Sequence, residues 1–217
     1  MNFPDGLLPE TWVIGAHFLL APILVGLLRT TPWGRLRQRP DLLGVFLLFL
    51  GGVVFLWTAR AGLPQNPGLN LYLLGATVLT LAFGWPLAAL GLLAALLAVT
   101  GLGLSGWHAF SINALVMVVV PVAVAALIHE IVHRKLPNHP FIYIFLSAFL
   151  GGALTLAGLA GAASAVLLAS GAYGFDELVR EYLRYFPLLM FPEAFVSGGI
   201  LAILVVYKPE WVVTFDD

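Results

Sequence analysis

Phe186-Pro-Leu-Leu-Met-Phe-Pro-Glu-Ala-Phe-Val-Ser-Gly-Gly-Ile-Leu-Ala-Ile-Leu-Val-Val206 is apolar along its whole length except for one carboxylate, Glu193. About 20 such residues in a helix match the ~30 Å hydrocarbon core of a bilayer. A charge turned toward lipid at that depth costs roughly 3 kcal/mol or more. Glu193 is therefore expected to face a bundle interior, as part of a polar cavity or ion path or as a carboxyl hydrogen-bonded to a neighbouring helix. The stretch closes with Tyr207-Lys208-Pro209-Glu210-Trp211, an aromatic and charged boundary suited to the water interface.

The same composition holds on either side of this stretch. The chain has 217 residues, 61% hydrophobic and 10% charged, with a mean hydropathy of +1.00. So few charges cannot cover a water-facing surface, and no segment of soluble composition is long enough for a second domain. Residues 1–217 read as one integral membrane domain, all-α, with membrane lipid as its surroundings. A net charge of −1 argues against a nucleic-acid partner. The chain contains no cysteine, which rules out disulfides and thiolate metal sites, so any metal must take imidazole, carboxylate, carbonyl or amine ligands. Neither Lys nor Arg precedes Arg29, so the basic start of a signal peptide is missing and the mature chain is expected to begin at or near Met1.

Apolar runs set the expected spans: Trp12 to Leu28, Leu42 to Thr58, Leu69 to Phe83, Pro86 to Val99, Ile112 to Ile128, Phe141 to Ala169, and the Glu193 stretch. This predicts a bundle of about seven transmembrane helices. The third and fourth spans are short, as they would be if they lined a cavity or kinked at Pro86. In the sixth, Gly151, Gly152, Gly158 and Gly161 suit a closely packed helix. Phe175 to Tyr185 alternates apolar and charged residues with helical period and is expected on the membrane surface. With the amino terminus outside, Arg29, Arg35, Arg37, Arg39, Arg134, Lys135 and Lys208 fall in inner loops, against Arg60, Arg180 and Arg184 in outer ones, the bias that orients such proteins.

Three further groups carry chemistry. His129-Glu-Ile-Val-His133 has the HExxH spacing that presents two imidazoles to zinc and a glutamate as base. It falls at the inner end of the fifth span beside Arg134 and Lys135, and no span supplies the aspartate ligand an intramembrane metalloprotease needs. A peripheral inner metal site made of His129, His133 and His139 is an alternative, and solvated interfacial side chains are another. At the other end of that span, Trp107-His-Ala-Phe-Ser-Ile-Asn113 places His108, Ser111 and Asn113 within two turns, either as a capped helix start or as the lining of an outer metal path. His17, in the first span, could face the same interior or bond to a neighbouring helix.

Pro187 to Trp211 is similar to the last helix of the CbiM/NikM family, the cobalt and nickel substrate-specific membrane components of energy-coupling factor transporters. Met1-Asn-Phe-Pro-Asp-Gly-Leu-Leu resembles that family's start, Gly68-Leu-Asn-Leu-Tyr-Leu-Leu-Gly75 its Gly-x-Gly-Leu segment, and Ala109-Phe-Ser-Ile-Asn113 the start of its fifth helix. The resemblance implies a helical bundle whose amino terminus folds inward and binds a divalent ion with its own amine. It also implies separate ATPase and transmembrane coupling subunits, and the inner (cytoplasmic) membrane of a bacterium. The candidate outer site of this chain takes Met1, Asn2, Asp5, His17 and His108 as ligands, His108 standing where the family has Asn, with Asn66, Ser111, Asn113 and Glu193 as interior polar residues. Two imidazoles of the family pattern are missing. Asn2 stands where the family has a chelating His, and the loop from Ala61 to Gly68 offers Gln65 and Asn66 where the family supplies a second His. Cobalt or nickel is the implied cargo, while imidazole and amine donors also suit copper or zinc. A zinc protease built on His129-Glu-Ile-Val-His133, or a scaffold subunit without an ion, are the competing readings.

Overall fold

The computed structural model describes residues 2–59, 61–62 and 67–215. The helices are α1 (Glu10–Thr30), α2 (Trp33–Gln38), α3 (Pro40–Thr58), α4 (Ala76–Phe83), α5 (Trp85–Gly101), α6 (Phe110–Lys135), α7 (Pro140–Ala169), α8 (Phe175–Glu181) and α9 (Phe186–Tyr207). A two-residue antiparallel pair joins β1 (Ala61–Gly62) to β2 (Asn70–Leu71). Proline punctuates the chain: Pro9 precedes α1, Pro32 separates α1 from α2, and α3, α5 and α9 carry proline in their first turn, where its missing N–H costs nothing. In α6 the residues Leu115–Val119 widen to a π-helical turn immediately before Pro121, which has no N–H to give to the preceding turn. A second π segment, Tyr143–Leu150, follows Pro140 in α7.

Five helical stretches are long and apolar enough to cross a bilayer: α1, α3, α6, α7, and α8 with α9. The expected third span is helical only in its second half. α4 has eight residues, all buried, and at 1.5 Å per residue covers about 12 Å. Ahead of it the chain runs extended with Leu69, Tyr72 and Leu74 buried. Gly75, at φ 69°, turns this segment into the helix, and Gly84, at φ 85°, breaks α4 from α5. Both angles lie in the region a side chain disfavours. Non-helical backbone at such depth survives only where protein supplies its hydrogen-bond partners. Here Trp57 Nε1 donates to Leu74 O at 3.2 Å, and Glu193 takes the amide hydrogens described below.

α7 and α9 pack through small residues. A carbon added at Gly152 would lie 3.0 Å from Ser197 Cβ, and one at Gly158 would lie 2.9 Å from Val124 of α6, whereas Gly161 faces open space. The segment from Phe175 to Tyr185 does not merely lie on the surface: Leu178 and Tyr182 are fully buried, with Tyr182 edge-on to Phe186 at 4.6 Å. At the opposite end of the bundle the carboxyl tail seals α4. Val213 N–H donates to Ala82 O at 2.9 Å, and Thr214 Oγ1 donates to Leu81 O at 2.8 Å.

Gly198 gives the packing a direct test. A carbon there would sit 2.0 Å from the Phe149 ring. Gly198→Ala is expected to cost about 1–3 kcal/mol through overpacking. Gly199→Ala, with nothing within 4 Å, should be neutral or stabilising by up to about 1 kcal/mol of helix propensity. Thermal unfolding of the two variants in detergent separates them.

Candidate functional site

From Asn2 onward the amino-terminal segment is folded into the bundle, with Asn2 and Phe3 buried. Asn113, fully buried in the first turn of α6, accepts the Phe3 N–H on Oδ1 at 2.7 Å, and its Nδ2 donates to Phe3 O and to Ser105 Oγ, both at 3.0 Å. One side-chain amide thus satisfies both backbone groups of Phe3, as a neighbouring strand would. Asp5 Oδ1 accepts the Ala109 N–H at 2.9 Å, satisfying a donor at the start of α6 that has no partner within the helix. Asn2, 4% exposed, donates through Nδ2 to Leu104 O and accepts from Asn70 Nδ2 on Oδ1 at 2.9 Å. Three separated segments, around residues 2–5, 70 and 104–113, are stitched together by amides and one carboxylate.

Two glycines make room for this. A carbon at Gly106 would fall 2.1 Å from Asp5 Oδ1 and 2.6 Å from Asp5 N, and one at Gly68 would lie 2.8 Å from Leu7 Cδ2. Tyr173 holds the same loop from the α7–α8 turn, donating to Pro67 O at 2.8 Å. Burial, with a smaller contribution from Glu177, raises its phenol above the ordinary value, so it remains a donor at neutral pH.

The other expected ligands are not gathered here. His17 lies on the exposed side of α1, with Nδ1 2.6 Å from Val13 O of its own helix rather than a neighbouring one. His108 is exposed and shares a surface pocket of about 390 Å³ with Asp5 and Glu10, beside the buried cluster. Ser111 is buried in the first turn of α6. Met1 and Asn66 lie outside the described residues.

At the opposite end, α6 continues through His129 to Lys135 before Pro137 follows. The His129 and His133 rings are 5.8 Å apart on one face, as the spacing predicts. Glu130, however, pairs with Arg134 one turn on, and His133 and His139 are exposed. Among the described residues no group of three or more His, Asp or Glu side chains is arranged to hold a metal ion. His129, His133 and His139 nevertheless line one small pocket together with Asn138 and Tyr143.

Glu193 faces the interior and is 1% exposed. Oε2 accepts the Leu74 N–H at 2.7 Å and Oε1 the Gly75 N–H at 3.0 Å. Both donors belong to the entry turn of α4, which has no side-chain cap of its own. The carboxylate is thus a clamp between α9 and the half-helical span, placed where a helix amino terminus favours negative charge.

Asn70, Ser105 and Gly106 were not singled out from the sequence. Their polar or small character is ordinary for loops, and only the approach of residues 2–5 gives them a role.

The fold agrees with solved transporters. A crystal structure of a truncated transition metal transporter superposes with a TM-score of 0.78, covering 95% of this chain and 99% of its own at 18% identity. Another, of a transition metal transporter, gives 0.68, with 97% and 93% covered at 19% identity. At such identities the likeness concerns the fold. No curated protein matches the chain significantly. The family model described as CbiM, cobalt uptake substrate-specific transmembrane region, matches residues 2–211. With nearly the whole chain matched, the buried Asn2 and Phe3 included, this protein belongs to the CbiM family.

Proposed function

We propose that residues 1–217 form the cargo-binding membrane permease of a divalent transition-metal uptake system, with the amino terminus outside and the ion bound at the inserted amino-terminal segment. The observation that carries this reading is the Asn113 bracket on Phe3, which holds the first residues inside the bundle instead of in solvent. Because the side-chain amide of Asn2 already has two protein partners, the ligands come mainly from the terminal amine and nearby backbone nitrogens. Such a nitrogen set suits cobalt or nickel and also copper, with zinc a weaker fit. The chain has no phosphate-binding loop of the Gly-x-x-x-x-Gly-Lys-Ser/Thr type, so energy comes from separate ATPase and coupling subunits in a bacterial inner membrane.

The test is elemental analysis of detergent-purified protein after exposure to each of the four metals. One equivalent of one metal is expected for the native start. A chain extended by Gly-Ser before Met1, or lacking residues 1–2, should lose it. Equal retention by all three chains would remove the amino-terminal site.

A further inference from the structure

The outer wall of the bundle contains a furrow that the metal site does not use. α1 and α6 leave an apolar groove of about 470 Å³ along the half of the bundle farther from the amino terminus, floored by Leu27, Ala89 and Val122 and bordered by Gly26, Thr30 and Ala123. Ile23 to Thr30 on one wall and Val119 to Ala126 on the other each cover about 10 Å at 1.5 Å per residue, within the ~15 Å depth of a single leaflet. The lining is almost wholly hydrocarbon, and Trp85 stands 46% exposed at its side.

The chain that continues from the furrow's Thr30 is basic. α1 finishes at Arg29-Thr30, and α2 follows directly with Arg35 and Arg37 and no acid. Among the described residues none of these three pairs with a carboxylate, whereas Arg39 pairs with Asp41 and Arg134 with Glu130. Trp33, 44% exposed on α2, adds an aromatic side chain of the kind found at headgroup level. A hydrocarbon slot one leaflet deep, opening onto uncompensated cations at the interface, is complementary to one ligand class: a lipid with an acyl chain and an anionic headgroup.

We propose that this furrow is a site for one anionic phospholipid, its chain lying between α1 and α6 and its phosphate facing the basic segment of Arg29, Arg35 and Arg37. The assignment does not depend on the metal reading. Native mass spectrometry of delipidated protein titrated with phosphatidylglycerol or phosphatidylcholine tests it. Wild type is expected to hold one phosphatidylglycerol at least about tenfold more tightly than phosphatidylcholine, a difference of about 1.4 kcal/mol. Ala123→Phe, and independently Gly26→Leu on the facing wall, should abolish the tight site with the melting temperature preserved. Arg35→Gln with Arg37→Gln should erase the headgroup preference while a chain still binds. Equal affinity for the two lipids in wild type overturns the proposal. So does unchanged phosphatidylglycerol binding in both groove variants, which would mean headgroup contact alone. Copurification of a protein helix that the groove variants displace, in place of lipid, would overturn it as well.

Discussion

Gly106→Ala is expected to release the amino terminus from the bundle while leaving the helices in place. The added methyl would fall within 2.6 Å of both the backbone nitrogen and the carboxylate of Asp5, and a backbone atom cannot swing aside as a side-chain tip can. Asp5 must therefore withdraw, giving up its bond to the Ala109 N–H. A hydrogen bond to a charged group contributes about 1.5–3 kcal/mol, which lowers the population of the inserted segment about 10- to 100-fold. Amide hydrogen exchange reads this without reference to metal: Phe3, whose N–H is held by Asn113, should exchange faster by that factor, with α7 unchanged. Metal retention should fall in parallel. Unchanged protection at Phe3 would show that the loop adapts and that the contact does not secure the segment. Faster exchange with undiminished metal content would separate insertion from binding.

Glu193→Ala should be the most destabilising single change in the bundle. It strips the acceptors from the Leu74 and Gly75 amides deep in a membrane protein, where no water replaces them. Each orphaned donor costs about 1–3 kcal/mol, so the pair approaches the lower end of the ~5–15 kcal/mol stability typical of folded domains. Glu193→Gln keeps one acceptor but turns an NH2 toward the other amide, and should cost about 1–3 kcal/mol. Thermal unfolding in detergent, with exchange at residues 74–83, checks the order wild type, Gln, Ala. A melting temperature for the Ala variant equal to wild type would refute the clamp. Transport by a correctly folded Gln variant bears on a separate matter, whether the charge itself serves the cargo.

The membrane bundle could be read in the chain because lipid imposes its constraint locally: runs of about 20 apolar residues have few alternatives. The third span escaped that reading. Leu69 to Phe83 is uniformly apolar, yet only Ala76–Phe83 is helical, because the entry turn is held by Glu193, 118 residues away from Gly75 along the chain. The motif His129-Glu-Ile-Val-His133 kept its helical spacing, but spacing says nothing of where Glu130 finds a cation, and the neighbouring Arg134 supplies it. At the amino-terminal cluster, Asn2, Asp5 and Asn113 stood out from the sequence, whereas Asn70, Ser105 and Gly106 did not. The partners of those last three come from segments that only folding brings together.

What the amino-acid sequence determines alone is the medium and the class of structure, since hydropathy, the lack of cysteine and proline placement act residue by residue. Its matched segments also carry the family. The tertiary structure decides which polar groups in that apolar setting become clamps and which remain at the interface. A buried amide or carboxylate takes its role from the donors and acceptors within about 3 Å of it, and most of those lie about a hundred residues away in the chain.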